Sequence, residues 1–374
     1  MDFRAALPTA LIALAAGLTA VLVAQDPPAS ADVPPTARLS LPVPTGPYHV
    51  GTTAAELPGP SRGRKLMVQV WYPTRVAHGN AAPYFPPKTA QFAAEAFHVP
   101  VQVINSIDTH AFSDATPASG THPIVLFSPG ENGLRSDSTA LETELASRGF
   151  AVVGIDVPGE SALVEYPDGH VVPGTWTDTG DASRAQAVRT RVADLGAVLH
   201  ALPELDHRGL LHGVFDLSRV GMFGFSLGGA TTADAIRVLP QIRAGVDLDG
   251  SLYEHALTTP TTRPFLLLAR DGHTTQTDPS WQRAWTLFHG FRREIHVIGA
   301  GHENFDDNAG FIEALGLSAQ YPADALGPIP PDRATAANRQ ILTAFFDRFV
   351  RGRSAGTGLL DNPQFFNPDL ERLG

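Results

Sequence analysis

The sequence predicts an α/β fold, with a mostly parallel central sheet and helices on both faces. Three observations carry this expectation. Apolar runs such as 124–127 and Ala151–Ile155 show no polar alternation, as strands buried on both faces do. They alternate along the chain with segments of helical period. The composition, 43% hydrophobic and 17% charged over 374 residues, supplies a large core.

Residues 64–72 alternate like a half-buried strand and stop at Pro73. Residues 83–117 are punctuated by Pro and His and hold two short helical patterns, 88–97 and 100–108, expected as a lid-like helical insertion beside the site. Strand 124–127 ends at Ser128-Pro129-Gly130. Helix 138–148 follows, with Ser138 as its expected cap and Gly149 as its stop. Strand 151–155 ends at Asp156-Val157-Pro158-Gly159. Helix 181–202 places Val188, Val192, Leu195, Leu199 and Leu202 on one face. Strand 219–223 leads into helix Leu227–Val238, and strands follow at 244–248, 264–269 and 292–298. Asp278-Pro279 reads as a helix start. A terminal helix, 340–350, carries Ile341, Leu342, Phe345, Phe346 and Phe349. The expected division is a leader at 1–31, a Pro-rich linker at 32–43, a catalytic domain at 44–352 and a surface tail at 353–374.

Lys plus Arg number 27 and Asp plus Glu 38, a net charge of −11. No basic stripe is present to neutralise phosphates, which argues against nucleic acid as a partner. The chain has no cysteine, so disulfides, thiolate nucleophiles, cysteine-bound zinc and iron–sulfur clusters are excluded. Residues 5–24 are uncharged and rich in Ala, Leu and Val, followed by a polar, Pro-rich stretch with Ala29-Ser30-Ala31. This reads as a secretory signal peptide cleaved after Ala31, with an uncleaved membrane anchor as the alternative. Either places the catalytic domain outside the membrane.

In a parallel sheet, ligands bind beyond the carboxyl ends of the strands. Strand 219–223 runs into Gly224-Phe225-Ser226-Leu227-Gly228-Gly229 and a helix begins at once, which is G-x-S-x-G in the strand–turn–helix context that gives it meaning. The turn is so tight that side chains at 224 and 228 would collide with neighbouring backbone, and the serine is held at a helix N-terminus. Its neutral hydroxyl needs a base. His302, in Gly299-Ala300-Gly301-His302-Glu303 after the last strand, is the first candidate, and His273 is the runner-up. The acid that orients the base is Asp249 or Asp271, each ending a strand after the serine; spacing alone leaves both open. Two backbone N–H groups, of Leu227 and of Glu131 in the loop Ser128–Gly133, are the expected oxyanion donors.

The chain resembles the plasma-type platelet-activating factor acetylhydrolase family of α/β-hydrolases and its bacterial secreted relatives. The resemblance rests on Thr45-Gly46-Pro47-Tyr48-His49-Val50-Gly51, Val70-Trp71-Tyr72-Pro73, Phe127-Ser128-Pro129-Gly130 and Glu144-Leu145-Ala146-Ser147-Arg148-Gly149-Phe150. It continues through Gly224–Thr231, Leu248-Asp249-Gly250 and Gly301-His302-Glu303-Asn304-Phe305-Asp306-Asp307. It implies the α/β-hydrolase fold, favours Asp249 over Asp271, and supports His302 with Glu131 and Leu227 as oxyanion donors. Pro129 and Phe225 stand where the family often has histidine, so substrate identity is left open. The expected activity is a secreted serine ester hydrolase acting through Ser226, His302 and Asp249, without metal or cofactor. Its expected partner is a small ester or lipid, with transient contact to a lipid surface. The alternatives are a cutinase- or lipase-like polyester or triglyceride hydrolase and, outside enzymes, a binding module on a hydrolase scaffold.

Overall fold

The computed structural model describes residues 38–177, 180–353 and 358–374; the expected leader at 1–31 lies outside them. The strands are β1 (His49–Pro58), β2 (Lys65–Thr74), β3 (Ala111–Ser113), β4 (His122–Ser128), β5 (Ala151–Ile155), β6 (Leu163–Glu165), β7 (Val171–Pro173), β8 (Phe215–Phe225), β9 (Ile242–Leu248), β10 (Phe265–Ala269), β11 (Arg292–Val297) and β12 (Leu370–Arg372). Ten of them form one sheet in the order β12-β11-β10-β9-β8-β4-β5-β2-β1-β3, while β6 and β7 pair as a separate hairpin. The pairs from β5 through β4, β8, β9 and β10 to β11 are all parallel. β2 joins β5 antiparallel, and β12 joins β11 antiparallel. This is the expected α/β-hydrolase architecture.

Strand pleating divides the core in two. Ile124 and Leu126 of β4, with Ala151 and Val153 of β5, pack under the helices Asp181–His207 and Leu227–Val238. Val125, Phe127 and Val152 point the opposite way, against the helices Thr139–Ser147 and Pro331–Phe346. Alternate residues of a strand face opposite sides, and both sides here are covered, so neither needs polar residues.

Several elements differ from expectation. β1 is Gly-, Thr- and Ala-rich and carries no large alternating apolar pattern, so only its pairing with β2 reveals it. The helix expected at 181–202 runs on through Pro203 to His207, because Leu205 also packs on the core. Ser138 precedes its helix without capping it by a side-chain bond, whereas Asp278 accepts from the N–H groups of Ser280 and Trp281. The end of the expected linker is docked: Leu39 and Leu41 are buried, and Arg339 donates to the carbonyls of Pro42 and Val43. The expected surface tail supplies β12 and buries Leu360 and Leu370 in the main core, so residues 358–374 are an integral edge of the sheet.

Residues 83–117 hold the helices Pro87–Ala96 and Val101–Ile104, then β3, which adds to the sheet beside β1. Tyr84, Phe85 and Phe97 of this segment pack with Leu134 and Phe311 in a separate apolar cluster next to the C-terminal edge of the sheet. No described helix is long and apolar enough to cross a membrane.

Candidate active site

β8 delivers Ser226 with φ 53° and ψ −119°, a backbone state that a non-glycine residue holds only when its surroundings enforce it. The enforcement is local. A Cβ on Gly224 would lie 2.1 Å from the carbonyl oxygen of Gly228, and one on Gly228 would lie 1.9 Å from that of Ser128. The Ser226 N–H donates to the Leu248 carbonyl at 2.8 Å, tying the turn to β9. The helix Leu227–Val238 begins at the next residue, so the Leu227 N–H is one of the amides its own helix leaves unbonded.

β9 is followed at once by Asp249, whose side chain is fully buried. β11 leads through Gly299 to the 3₁₀ turn His302–Phe305. Nδ1 of His302 donates to Oδ2 of Asp249 at 2.6 Å. A carboxylate only accepts, so this bond places the proton on Nδ1 and leaves Nε2 free to accept one. The turn is fixed from behind, where Asn304 Oδ1 accepts from the Gly301 N–H and the Asn304 carbonyl accepts from Asn338. Ser226 and His302 line the same cleft, with no direct hydrogen bond between them among the described residues. Such bonds tighten when substrate binds.

Asp249 has more partners than its expected role requires. Arg270 donates to it from both backbone N–H and Nε, and Nδ1 of His273 donates to Oδ1 at 2.7 Å. Burial works to raise the pKa of Asp249, but the hydrogen bonds from His273 and His302 outweigh it and hold the carboxyl well below the ordinary range. Asp271, the other acid compatible with spacing, accepts from the Gly299 N–H at 2.9 Å and is exposed. It braces the loop that carries His302 and does not meet the ring. His273, the second histidine candidate, lies on the opposite oxygen of Asp249 from His302.

The loop after β4 is clamped by Arg191, which the sequence reading missed. Arg191 is buried on the helix Asp181–His207 and paired with Glu160. It donates to the carbonyls of Pro129 and Gly130, the latter at 2.8 Å, and to Ser128 Oγ. In a trans peptide the N–H points opposite to the C=O. With the Gly130 carbonyl turned to Arg191, the Glu131 N–H is directed away from it, on a residue that lines the cleft. The Glu131 carboxylate is drawn to Arg184 at 3.0 Å, which neutralises its charge. The visible signal for Arg191 was an arginine inside the apolar stripe of Val188, Val192 and Leu195.

The cleft is narrow, about 40 Å³, with Tyr84, Phe85, Phe97, Phe225 and Phe311 in its walls. The Phe225 ring lies 4.7 Å from that of His302. Three acids also line it. Burial pushes Asp137 up to about 8 and raises Glu303 and Asp306 as well. Asp137, neutral below that value, does not repel an anion forming nearby. No group of described His, Asp and Glu residues is arranged to hold a metal ion.

The sequence profile of platelet-activating factor acetylhydrolase, isoform II, matches residues 35–172. A probable 1-alkyl-2-acetylglycerophosphocholine esterase of Arthroderma benhamiae is 26% identical, covering 88% of this chain and 92% of its own. Platelet-activating factor acetylhydrolase of Cavia porcellus is 23% identical over 83% of this chain and 78% of its own. Among solved structures, a ferulic acid esterase from Streptomyces cinnamoneus superposes with a TM-score of 0.79 at 31% identity, covering 90% of this chain and all of that one. The chain is thus a serine ester hydrolase, and it belongs to the platelet-activating factor acetylhydrolase family of α/β-hydrolases.

Proposed function

We propose that the chain hydrolyses small carboxylic esters through Ser226, His302 and Asp249. The observation that carries this reading is the 2.6 Å bond from His302 to the buried Asp249, formed beside a serine held in a strained turn. His302 takes the proton of Ser226 as Oγ attacks the ester carbonyl. The negative oxygen that results is met by the N–H groups of Glu131 and Leu227, each contributing roughly 3–4 kcal/mol in comparable sites. Collapse expels the alcohol, which receives the proton from His302. Water, activated by the same imidazole, then cleaves the acyl-enzyme. Asp249 keeps the ring in one tautomer throughout. This chemistry needs no metal or organic cofactor.

The narrow aromatic cleft favours a short acyl group, as on an acetylated lipid or another small ester. A second reading takes the acyl group to be a flat aromatic acid. It is favoured by the five aromatic side chains of the cleft and by the likeness to a ferulic acid esterase. Rates on p-nitrophenyl esters from acetate to palmitate, set beside methyl ferulate, separate the two. A maximum at acetate supports the first reading, a maximum at ferulate the second, and a maximum at palmitate neither. Ser226→Ala is expected to abolish turnover and covalent labelling by an organophosphate while leaving the fold intact. Retained labelling overturns the assignment of the nucleophile.

We further propose that residues 1–31 direct export and are removed. N-terminal sequencing of the protein from culture medium tests this: a mature chain starting near Asp32 supports it, and a cell-bound chain starting at Met1 opposes it.

A further inference from the structure

His273 is a buried histidine that the proposed reaction does not use, yet it touches the acid of the proposed triad. Its Nδ1 meets Oδ1 of Asp249 at 2.7 Å and its Nε2 meets Oδ2 of Asp278 at 3.0 Å. Its ring stacks on Trp281 with centroids 4.0 Å apart. Trp281 is in turn fixed by donating Nε1 to the Gly250 carbonyl at 2.7 Å. Asp278 is held by Ser251 and by its role at the start of the helix Pro279–Trp285.

We propose that His273 is a positioning residue of the esterase, a fixed cation that orients the carboxylate of Asp249 toward His302 and shares its charge. The inference rests on the triad reading above. Ionised carboxylates only accept hydrogen bonds, so a ring with a carboxylate oxygen at each nitrogen carries both protons. Burial alone lowers the proton affinity of such a ring, but the bonds to Asp249 and Asp278 outweigh it and place His273 at about 9. The charged and titratable groups around it are Asp247 from β9 and Asp249 just after it, Arg270 after β10, and Asp278 capping the following helix; Glu303 adjoins His302. Asp247 is driven well above the ordinary carboxylate range by burial and so contributes little charge.

Two consequences follow for the reaction. With Oδ1 occupied by His273, Oδ2 is the oxygen left for His302, which fixes the plane of the imidazole and the direction of Nε2. With the charge of Asp249 divided between His273, Arg270 and His302, the attraction that would keep His302 protonated is weakened.

The test is the pH profile of kcat/KM for His273→Gln and Asp278→Asn on p-nitrophenyl acetate. In His273→Gln the acid limb should move up by about one pH unit, the effect of removing one charge several ångström away. kcat should fall about tenfold, with KM changed less than about threefold, as for a group that acts on the transition state. Asp278→Asn removes one of the two carboxylates that keep His273 doubly protonated, so the ring loses part of its charge and the limb should shift in the same direction by less. An unmoved limb in both variants, with only thermal stability lowered, overturns the proposal and leaves His273 a packing residue. Should His273→Gln fail to fold, ¹⁵N-histidine NMR of the wild-type protein decides. Both ring N–H signals persisting at pH 8 support the proposal, and a neutral ring at pH 7 overturns it. His302→Ala separates the two levels of inference: if it stays active, the triad reading fails, whereas a dead His302→Ala with an unmoved His273→Gln profile sinks the positioning role alone.

Discussion

Arg191 donates Nη2 to the carbonyl oxygen of Gly130 at 2.8 Å, and that bond turns the next amide, of Glu131, the other way. An arginine on one helix thereby sets the direction of a backbone N–H in a loop far away in sequence. Arg191→Lys keeps a charge for Glu160 but loses the planar fork that spans two carbonyls and the carboxylate. The expected outcome is a fall in kcat of about 10- to 100-fold with KM little changed, since losing an oxyanion donor outright costs about 10²–10³. Steady-state kinetics on a short p-nitrophenyl ester checks it, and an unchanged kcat in a folded variant refutes the clamp.

Asp249 and Asp271 both end strands, but only Asp249 meets His302, whereas Asp271 holds the Gly299 amide. Asp249→Asn should reduce kcat by about 10⁴, as wrong-tautomer variants of such triads do. Asp271→Asn keeps an acceptor for Gly299 and should stay within about fivefold of wild type, as a brace that touches no reacting atom. Parallel kinetics on the two variants test the assignment, and the reverse ranking overturns it.

Asp137 is half-buried in the wall of the cleft and its carboxyl is pushed up to about 8, chiefly by burial, with Asp156, Asp307 and Glu303 adding to the rise. An acid raised on folding binds more protons folded than unfolded between about pH 4 and pH 8, so stability falls as pH climbs through that window. Asp137→Asn removes this loss while retaining an acceptor for the Leu134 N–H. Melting temperatures should therefore match near pH 4.5 and diverge by pH 8.5, with the variant the more stable. Calorimetry across this range decides, and a variant less stable at pH 8.5 contradicts the sign.

Leu370 is wholly buried on β12, while Phe366, a few residues earlier, is more than half exposed. Leu370→Ala should cost about 2–4 kcal/mol, the usual penalty for emptying a core site. Phe366→Ala should stay within about 0.5 kcal/mol. Urea denaturation of both variants measures the contrast, and equal costs would return residues 358–374 to the status of a surface tail.

The tight turn that holds Ser226 was legible because its sterics demand glycine at 224 and 228 and leave that demand in the sequence. His302 was legible for a similar reason, since flanking glycines mark a loop at the working edge of the sheet. The acid was less so. Asp249 and Asp271 have the same local context, so spacing leaves both open; the resemblance favours Asp249, and it is Asp249 that meets the His302 ring while Asp271 holds the Gly299 amide. Arg191 and His273 act through contacts across 61 and 24 positions of sequence, which periodicity does not encode. β1 and β12 escaped notice because each is stabilised by pairing with a neighbour more than by an apolar pattern of its own.

The pairing of β12 with β11 extends to the histidine loop. The carbonyl of Asp369 accepts from the N–H of Ile298, at the foot of the loop that presents His302. The parallel strands and the turn at Ser226 precede β12 in the sequence, so the loop that carries His302 is braced from this side only after residues 358–374 have joined the sheet.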